Sequence, residues 1–182
     1  MPSSAYATLA AGCLIFAAPF LLARRKSQVP AKVDRRARWG MVLQGIAYAI
    51  LWQGHFWDAV LPMRRFAPSV IFLGVAGVLS WTGTRTLGQQ WRFDASLSSD
   101  HQLVTTGPYR FIRHPIYCSM LCLGLGIGLM VTPWPLFLLS MFVFIGGTEI
   151  RVRIEDKLLA SRFGERFRQY QQRVPAYIPF MR

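Results

Sequence analysis

The chain has 182 residues, of which 21 are Lys or Arg and 8 are Asp or Glu, giving a net charge of +13. Only 16% of positions are charged, 53% are hydrophobic, and the mean hydropathy is +0.30. This composition excludes a disordered basic tail, which has too little apolar surface to bury, and a disulfide scaffold, for which three cysteines are too few. The charges are also segregated from long neutral runs instead of lining amphipathic elements, so the pattern is that of an all-α integral membrane protein and no nucleic-acid partner is expected.

In chain order, residues 5–23, 39–57, 66–84 and 115–148 contain no Asp, Glu, Lys or Arg. The first three each match the roughly 20 residues a helix needs to cross the hydrocarbon core. The fourth has 34 residues. As one helix it would be about 51 Å long against a core of ~30 Å. Thr132-Pro133-Trp134-Pro135 interrupts it, and prolines this close break a helix and turn the chain. Two short spans over 116–131 and 134–150 are predicted, making five in all.

Orientation follows the basic residues. Seven lie at 24–38, four at 85–113 and eight from Arg151 onward, against Arg64 and Arg65 on the other side. The N-terminus is then expected outside, with the C-terminus and the candidate site cytoplasmic. Arg24-Arg25-Lys26 follow the first apolar run instead of preceding it, which suits an uncleaved anchor. With Arg35-Arg36 they read as a collar facing anionic membrane lipids. There is no internal repeat, and no acidic residue lies inside a neutral run to serve an ion pathway. The chain divides near Gly88: residues 1–88 hold three spans and a basic loop, and 89–182 hold a polar segment, a helical hairpin and a charged tail.

Cys13, Cys118 and Cys122 form no Cys-x-x-Cys pair and read as packing residues. Gly124, Gly126 and Gly128 imitate a nucleotide-binding loop but lie mid-span, where close helix packing is the better reading. Asp94, Asp100, His101 and His114 match no ligand spacing, and no metal site is expected.

Three segments carry possible chemistry. Residues 101–117 crowd a Gly-Pro turn, Arg110, Arg113, His114 and Pro115 before a span. Free N–H groups at that helix start make a local anion site, while an interfacial loop anchored by Arg and Tyr is the plainer alternative. After the last span, Arg151 and Glu155 share a helical face, as do Glu149 and Arg153; a solvated helix with ordinary salt bridges fits the same spacing. At 170–179 two prolines end a helix and return an extended aromatic strap to the membrane face, either over a cofactor or as a surface anchor.

Taken together, Gly107-Pro108-Tyr109, Arg113-His114-Pro115 with Tyr117, Arg151, Glu155-Asp156, Phe163-Gly164 with Tyr170, Val174-Pro175 and Ile178-Pro179 resemble the isoprenylcysteine carboxyl methyltransferases over about residues 101–179. These are integral membrane enzymes, and the phospholipid N-methyltransferases are similar. Phe167 stands where the family usually has Tyr, Ser119 where Gly is frequent, and Asp156 where the second Glu of an acidic pair stands. The resemblance implies S-adenosylmethionine as cofactor. Leu103, Val104, Gly107, Tyr109, His114 and Tyr117, with Tyr170 and Pro175 of the strap, would enclose it, and Glu155 would face its ammonium or sulfonium. Arg113, Arg151 and Glu155 would be the catalytic set, the arginines holding the methyl acceptor. That acceptor would be a lipid-linked or prenylated small molecule, most naturally a carboxylate, which a guanidinium grips bidentately and which needs no general base. Gly124, Gly126 and Gly128 would leave room for its tail. The alternatives are a phospholipid amine acceptor and a membrane reductase using NADPH, because sterol-type reductases end in a similar tail.

Overall fold

The structure, a computed structural model, describes residues 3–23, 32–53, 63–91, 96–97 and 102–177. Arg24-Arg25-Lys26, residues 54–57 of the second neutral run, Asp94, Asp100, His101 and Ile178-Pro179 lie outside the described residues. Among the described residues six helices follow one another: α1 (Ser3–Leu22), α2 (Ala37–Leu51), α3 (Met63–Leu87), α4 (Pro115–Val131), α5 (Trp134–Phe163) and α6 (Glu165–Arg173). Between them lie 3-10 turns at Gly88–Gln90 and Gly107–Arg110. A two-residue antiparallel pairing of Lys32–Val33 with Ser96–Leu97 is the one addition to the all-α expectation among the described residues.

Each predicted span corresponds to a helix, but the helices are not equivalent. α1, α3 and α5 are long and apolar enough to cross a membrane. α4 is a shorter apolar helix of 17 residues. α2 has 15 residues and is about 22 Å long, less than the hydrocarbon thickness. The break at 132–135 falls as expected: Val131 ends α4, Thr132 and Pro133 are extended, and α5 begins at Trp134 with a proline in its first turn. α5 then runs well past residue 150, and this extension carries Arg151, Glu155 and Asp156.

Polar side chains hold the helices together where hydrophobic contrast with lipid cannot. Thr132 donates to the Leu51 carbonyl at 2.7 Å and Ser140 to that of Ala47 at 2.8 Å, fixing α2 antiparallel against α5. Arg65 of α3 donates to the carbonyls of Gly128 (3.1 Å) and Thr132 (2.5 Å), satisfying the C-terminal end of α4. Its guanidinium lies 5.2 Å from the centre of the Trp134 ring.

Small residues set the closest approaches. A Cβ on Gly147 would lie 2.7 Å from the Gly40 carbonyl oxygen, so α2 and α5 pack backbone to backbone there. On α4, the space beside Gly126 is filled by Leu73, that beside Gly128 by Phe137, and that beside Gly124 by Met141 at 3.3 Å. These glycines therefore serve helix packing. The expectation that they leave room for a lipid tail is overturned, because neighbouring side chains already occupy that room.

Candidate active site

The site forms where α4 begins, α5 extends and α6 turns back. Gly107 sits at φ +58°, and a Cβ there would meet Thr86 Oγ1 at 2.7 Å, so only glycine lets this turn close onto α3. The turn buries Tyr109. Beyond α6, residues 174–177 return as a strap, and Pro175 and Ala176 accept from the backbone amides of Arg113 (2.9 Å) and His114 (3.1 Å). Those amides immediately precede α4, so the strap docks on the backbone that leads into the helix. Tyr177 completes the docking: its hydroxyl donates to Glu149 at 3.0 Å, and its carbonyl accepts from Cys118 Sγ at 3.1 Å.

Five ionisable side chains converge beneath the strap. Arg113 Nη2 is 3.2 Å from Asp156 Oδ2, and its Nη1 donates to the Gln171 carbonyl at 3.2 Å. His114 bridges the two acids, with Nε2 3.0 Å from Asp156 Oδ1 and Nδ1 3.6 Å from Glu155 Oε2. Arg151 Nη2 lies 3.6 Å from Glu155 Oε1, and its guanidinium stacks 5.2 Å from the Tyr117 ring centre. The Tyr117 hydroxyl also donates to Glu155. The Arg113 and Arg151 side chains are each 9% exposed, which excludes the plain reading of Arg151–Glu155 as a solvated surface pair. Burial of so many charges is tolerable only because each has an opposite partner. The second spaced pair, Glu149–Arg153 at 2.6 Å, does lie at the surface.

Tyrosines seal the side facing α6. The Tyr170 hydroxyl donates to the Tyr109 carbonyl at 2.5 Å. Burial raises the phenols of Tyr170 and Tyr109 above their usual range, with the Glu155 charge adding to the effect at Tyr109. Tyr177 is raised by burial and by its bond to Glu149. All three are neutral hydrogen-bonding groups at physiological pH.

A cavity of about 630 Å³ opens beside this cluster, within the range of small-molecule sites. Leu103, Val104, Tyr109, Arg113, His114, Tyr117, Arg151, Glu155 and Tyr170 all line it. Gly107 and Pro175 do not; they shape the wall through backbone geometry. The wall also includes residues the sequence reading passed over: Phe16 and Phe20 of α1, and Met41, Gln44 and Tyr48 of α2. An amide near the middle of a neutral run was the available signal for Gln44; nothing local marks the others, since only packing brings α1 and α2 to the site.

The donor set fits S-adenosylmethionine. Glu155 and Asp156 would supply carboxylates to its cationic end, Tyr and Phe rings offer apolar faces, and Arg113 Nε is buried with no partner among the described residues.

The sequence model of the family described as phospholipid methyltransferase matches residues 64–166, more than half the chain. The cobalt-zinc-cadmium resistance protein CzcN of Cupriavidus metallidurans is 32% identical over 78% of this chain and 62% of its own length. Protein-S-isoprenylcysteine O-methyltransferase of Schizosaccharomyces pombe is 29% identical over 80% and 68%. Its counterpart B in Arabidopsis thaliana is 30% identical over 77% and 70%. The chain thus spans about three fifths to seven tenths of the length of these relatives.

Proposed function

The chain belongs to the phospholipid methyltransferase family, and from that premise we propose that it transfers a methyl group from S-adenosylmethionine to the carboxylate of an amphiphilic acceptor at a membrane surface. The observation that carries this reading is the buried Arg151–Glu155–Tyr117 contact at the cavity wall. It sets a carboxylate for the donor's cation beside a guanidinium for the acceptor's anion.

Glu155 and Asp156, held by His114, bind the ammonium and sulfonium end of the donor, and the rings of Tyr109 and Tyr170 hold its apolar parts. Arg151 grips the acceptor carboxylate. Arg113, engaged by Asp156 and the Gln171 carbonyl, keeps the acidic wall and the tail together and directs its remaining Nε toward the bound molecules. The donor supplies a sulfonium-activated methyl, which the acceptor's carboxylate oxygen takes as the carbon–sulfur bond breaks and its electron pair goes to sulfur. No proton moves, so no general base is needed. The protein contributes alignment and exclusion of water.

The apolar side of the cavity, where Phe16, Phe20, Met41 and Tyr48 lie, takes the acceptor's tail. The basic-residue asymmetry supports a cytoplasmic site with the N-terminus outside. A phospholipid amine is the second acceptor class, favoured by the description of the matching family.

Calorimetric titration of detergent-purified protein with S-adenosylmethionine, beside an Arg113/Glu155 double variant, tests the donor. Binding by the parent that weakens in the variant supports the site. A labelled product cleaved by mild alkali identifies a methyl ester, whereas an alkali-stable product means amine methylation. No binding with acceptor lipid present overturns the reading.

A further inference from the structure

A second cavity, of about 390 Å³, lies where the C-terminal ends of α1 and α3 meet. Pro19, Leu22, Trp81, Thr84, Arg85 and Gln89 are in its wall, and it shares no lining residue with the cavity of the candidate active site. Each helix end divides its faces between the two: Phe20 and Leu87 line the first, while Pro19 and Arg85 line the second. No Asp or Glu lines the second cavity. It falls on the side where the basic residues are concentrated.

Its chemistry changes with depth. At the rim Arg85 is exposed, with its guanidinium 5.5 Å from the centre of the Trp81 ring. Below it Thr84 is 4% exposed, and its Oγ1 is buried with no partner among the described residues. A buried hydroxyl in that state is unfavourable until a ligand supplies the partner. Leu22, 70% exposed, adds an apolar flank. An Arg–Trp pair by itself would be an ordinary interfacial anchor. The unpaired hydroxyl beneath it and the acid-free wall make this one a groove for an anionic, amphiphilic molecule.

We propose that this groove binds one anionic phospholipid that is not a methyl acceptor. Arg85 and Gln89 hold its phosphate oxygens, Thr84 donates to a phosphate or ester oxygen, and an acyl chain lies along Leu22 and Trp81. A choline or ethanolamine headgroup finds no carboxylate here for its ammonium, so an uncharged headgroup on the phosphate, as in phosphatidylglycerol, is preferred. The lipid ties α1 to α3 beside the wall of the first cavity, where Phe20, next to Pro19 in the chain, meets the Trp91 ring at 5.2 Å. The inference is independent of which donor and acceptor the first cavity takes.

Thermal melts of the delipidated full-length protein in detergent, titrated with phosphatidylglycerol, phosphatidylcholine or glycerol 3-phosphate, test this. Phosphatidylglycerol is expected to raise Tm by several degrees, and phosphatidylcholine to need about tenfold more lipid for the same rise. Glycerol 3-phosphate, which lacks the chains, should give none. Arg85→Gln, at an exposed position, should fold and weaken half-saturation by phosphatidylglycerol about tenfold, the scale of a lost charged hydrogen bond. Thr84→Val should weaken it about threefold or more. Arg166→Gln, which removes an exposed arginine of α6, should leave it unchanged. No rise with phosphatidylglycerol, an equal response to both lipids, or an unchanged half-saturation in Arg85→Gln overturns the proposal. An equal loss in Arg166→Gln also overturns it, in favour of diffuse attraction to the basic face. A rise with glycerol 3-phosphate equal to that with lipid replaces the lipid by a free phosphate ester.

Discussion

A Cβ placed on Gly40 would lie 2.5 Å from Arg151 Cγ. The methylene stem of the buried arginine thus rests directly on the backbone of α2, and a helix from the first part of the chain sets the position of a guanidinium from the last. The same Cβ would lie 2.5 Å from the Gly147 carbonyl oxygen, so Gly40→Ala must move α2 away from α5 as well as shift Arg151. The expected result is a loss of about 1–3 kcal/mol in stability, as for overpacking in a tight interface. Methyl transfer should fall further than unfolding explains, and comparing thermal melts with kcat/KM at a temperature where the variant stays folded checks this.

Removing a charge from the cluster should act on turnover more than on fold. Arg113→Ala and Glu155→Ala are each expected to remain folded and to lose roughly 100-fold or more in turnover, the scale of a lost preorganised electrostatic contact. Circular dichroism with a radiolabelled methyl-transfer assay measures both quantities. Near-normal turnover in a folded variant would remove that residue from the assignment.

The strap should respond to alkali with a definite sign. The phenols of Tyr170, Tyr109 and Tyr177 are raised in the folded protein, chiefly by burial. Their contribution is then fully present below the ordinary phenol pKa of about 10 and is lost as pH climbs above it. Donor affinity should show no change from this source at neutral pH and should weaken only in strong alkali, together with rising tyrosinate absorbance. Tyr170→Phe removes the bond to the Tyr109 carbonyl. It is expected to cost about 1 kcal/mol of strap docking at neutral pH.

Two glycines separate packing from tail binding. Gly128→Ala drives a methyl into Phe137 and should destabilise the α4–α5 hairpin without altering preference for tail length. Gly45 lines the cavity, and a Cβ there meets nothing within 4 Å. Gly45→Leu should leave the melting temperature nearly unchanged and shift preference toward shorter tails. Parallel assays with acceptors of graded chain length distinguish the two, and a Gly128-dependent tail preference would restore the groove on α4.

The amino-acid sequence alone determined the helical membrane class and the break at Pro133, and it placed a strap at 170–179, of which 170–173 form the end of α6. These features are local: neutral runs, proline positions and i,i+4 spacing act through covalent and helical geometry. The four-residue step from Arg151 to Glu155 places both side chains on one face of any helix, wherever that helix goes. What only the tertiary structure decided depends on surfaces meeting across the chain. Whether the amides of Arg113 and His114 stay open or donate to the strap depends on where residues 175 and 176 return. Whether Gly124, Gly126 and Gly128 hold a tail or a neighbouring helix depends on Leu73, Phe137 and Met141. Gln44 joined the cavity for the same reason: α2 packs through Gly40 and Gly147 onto α5. Such close approach comes from the fit of two distant backbones, which no local pattern records.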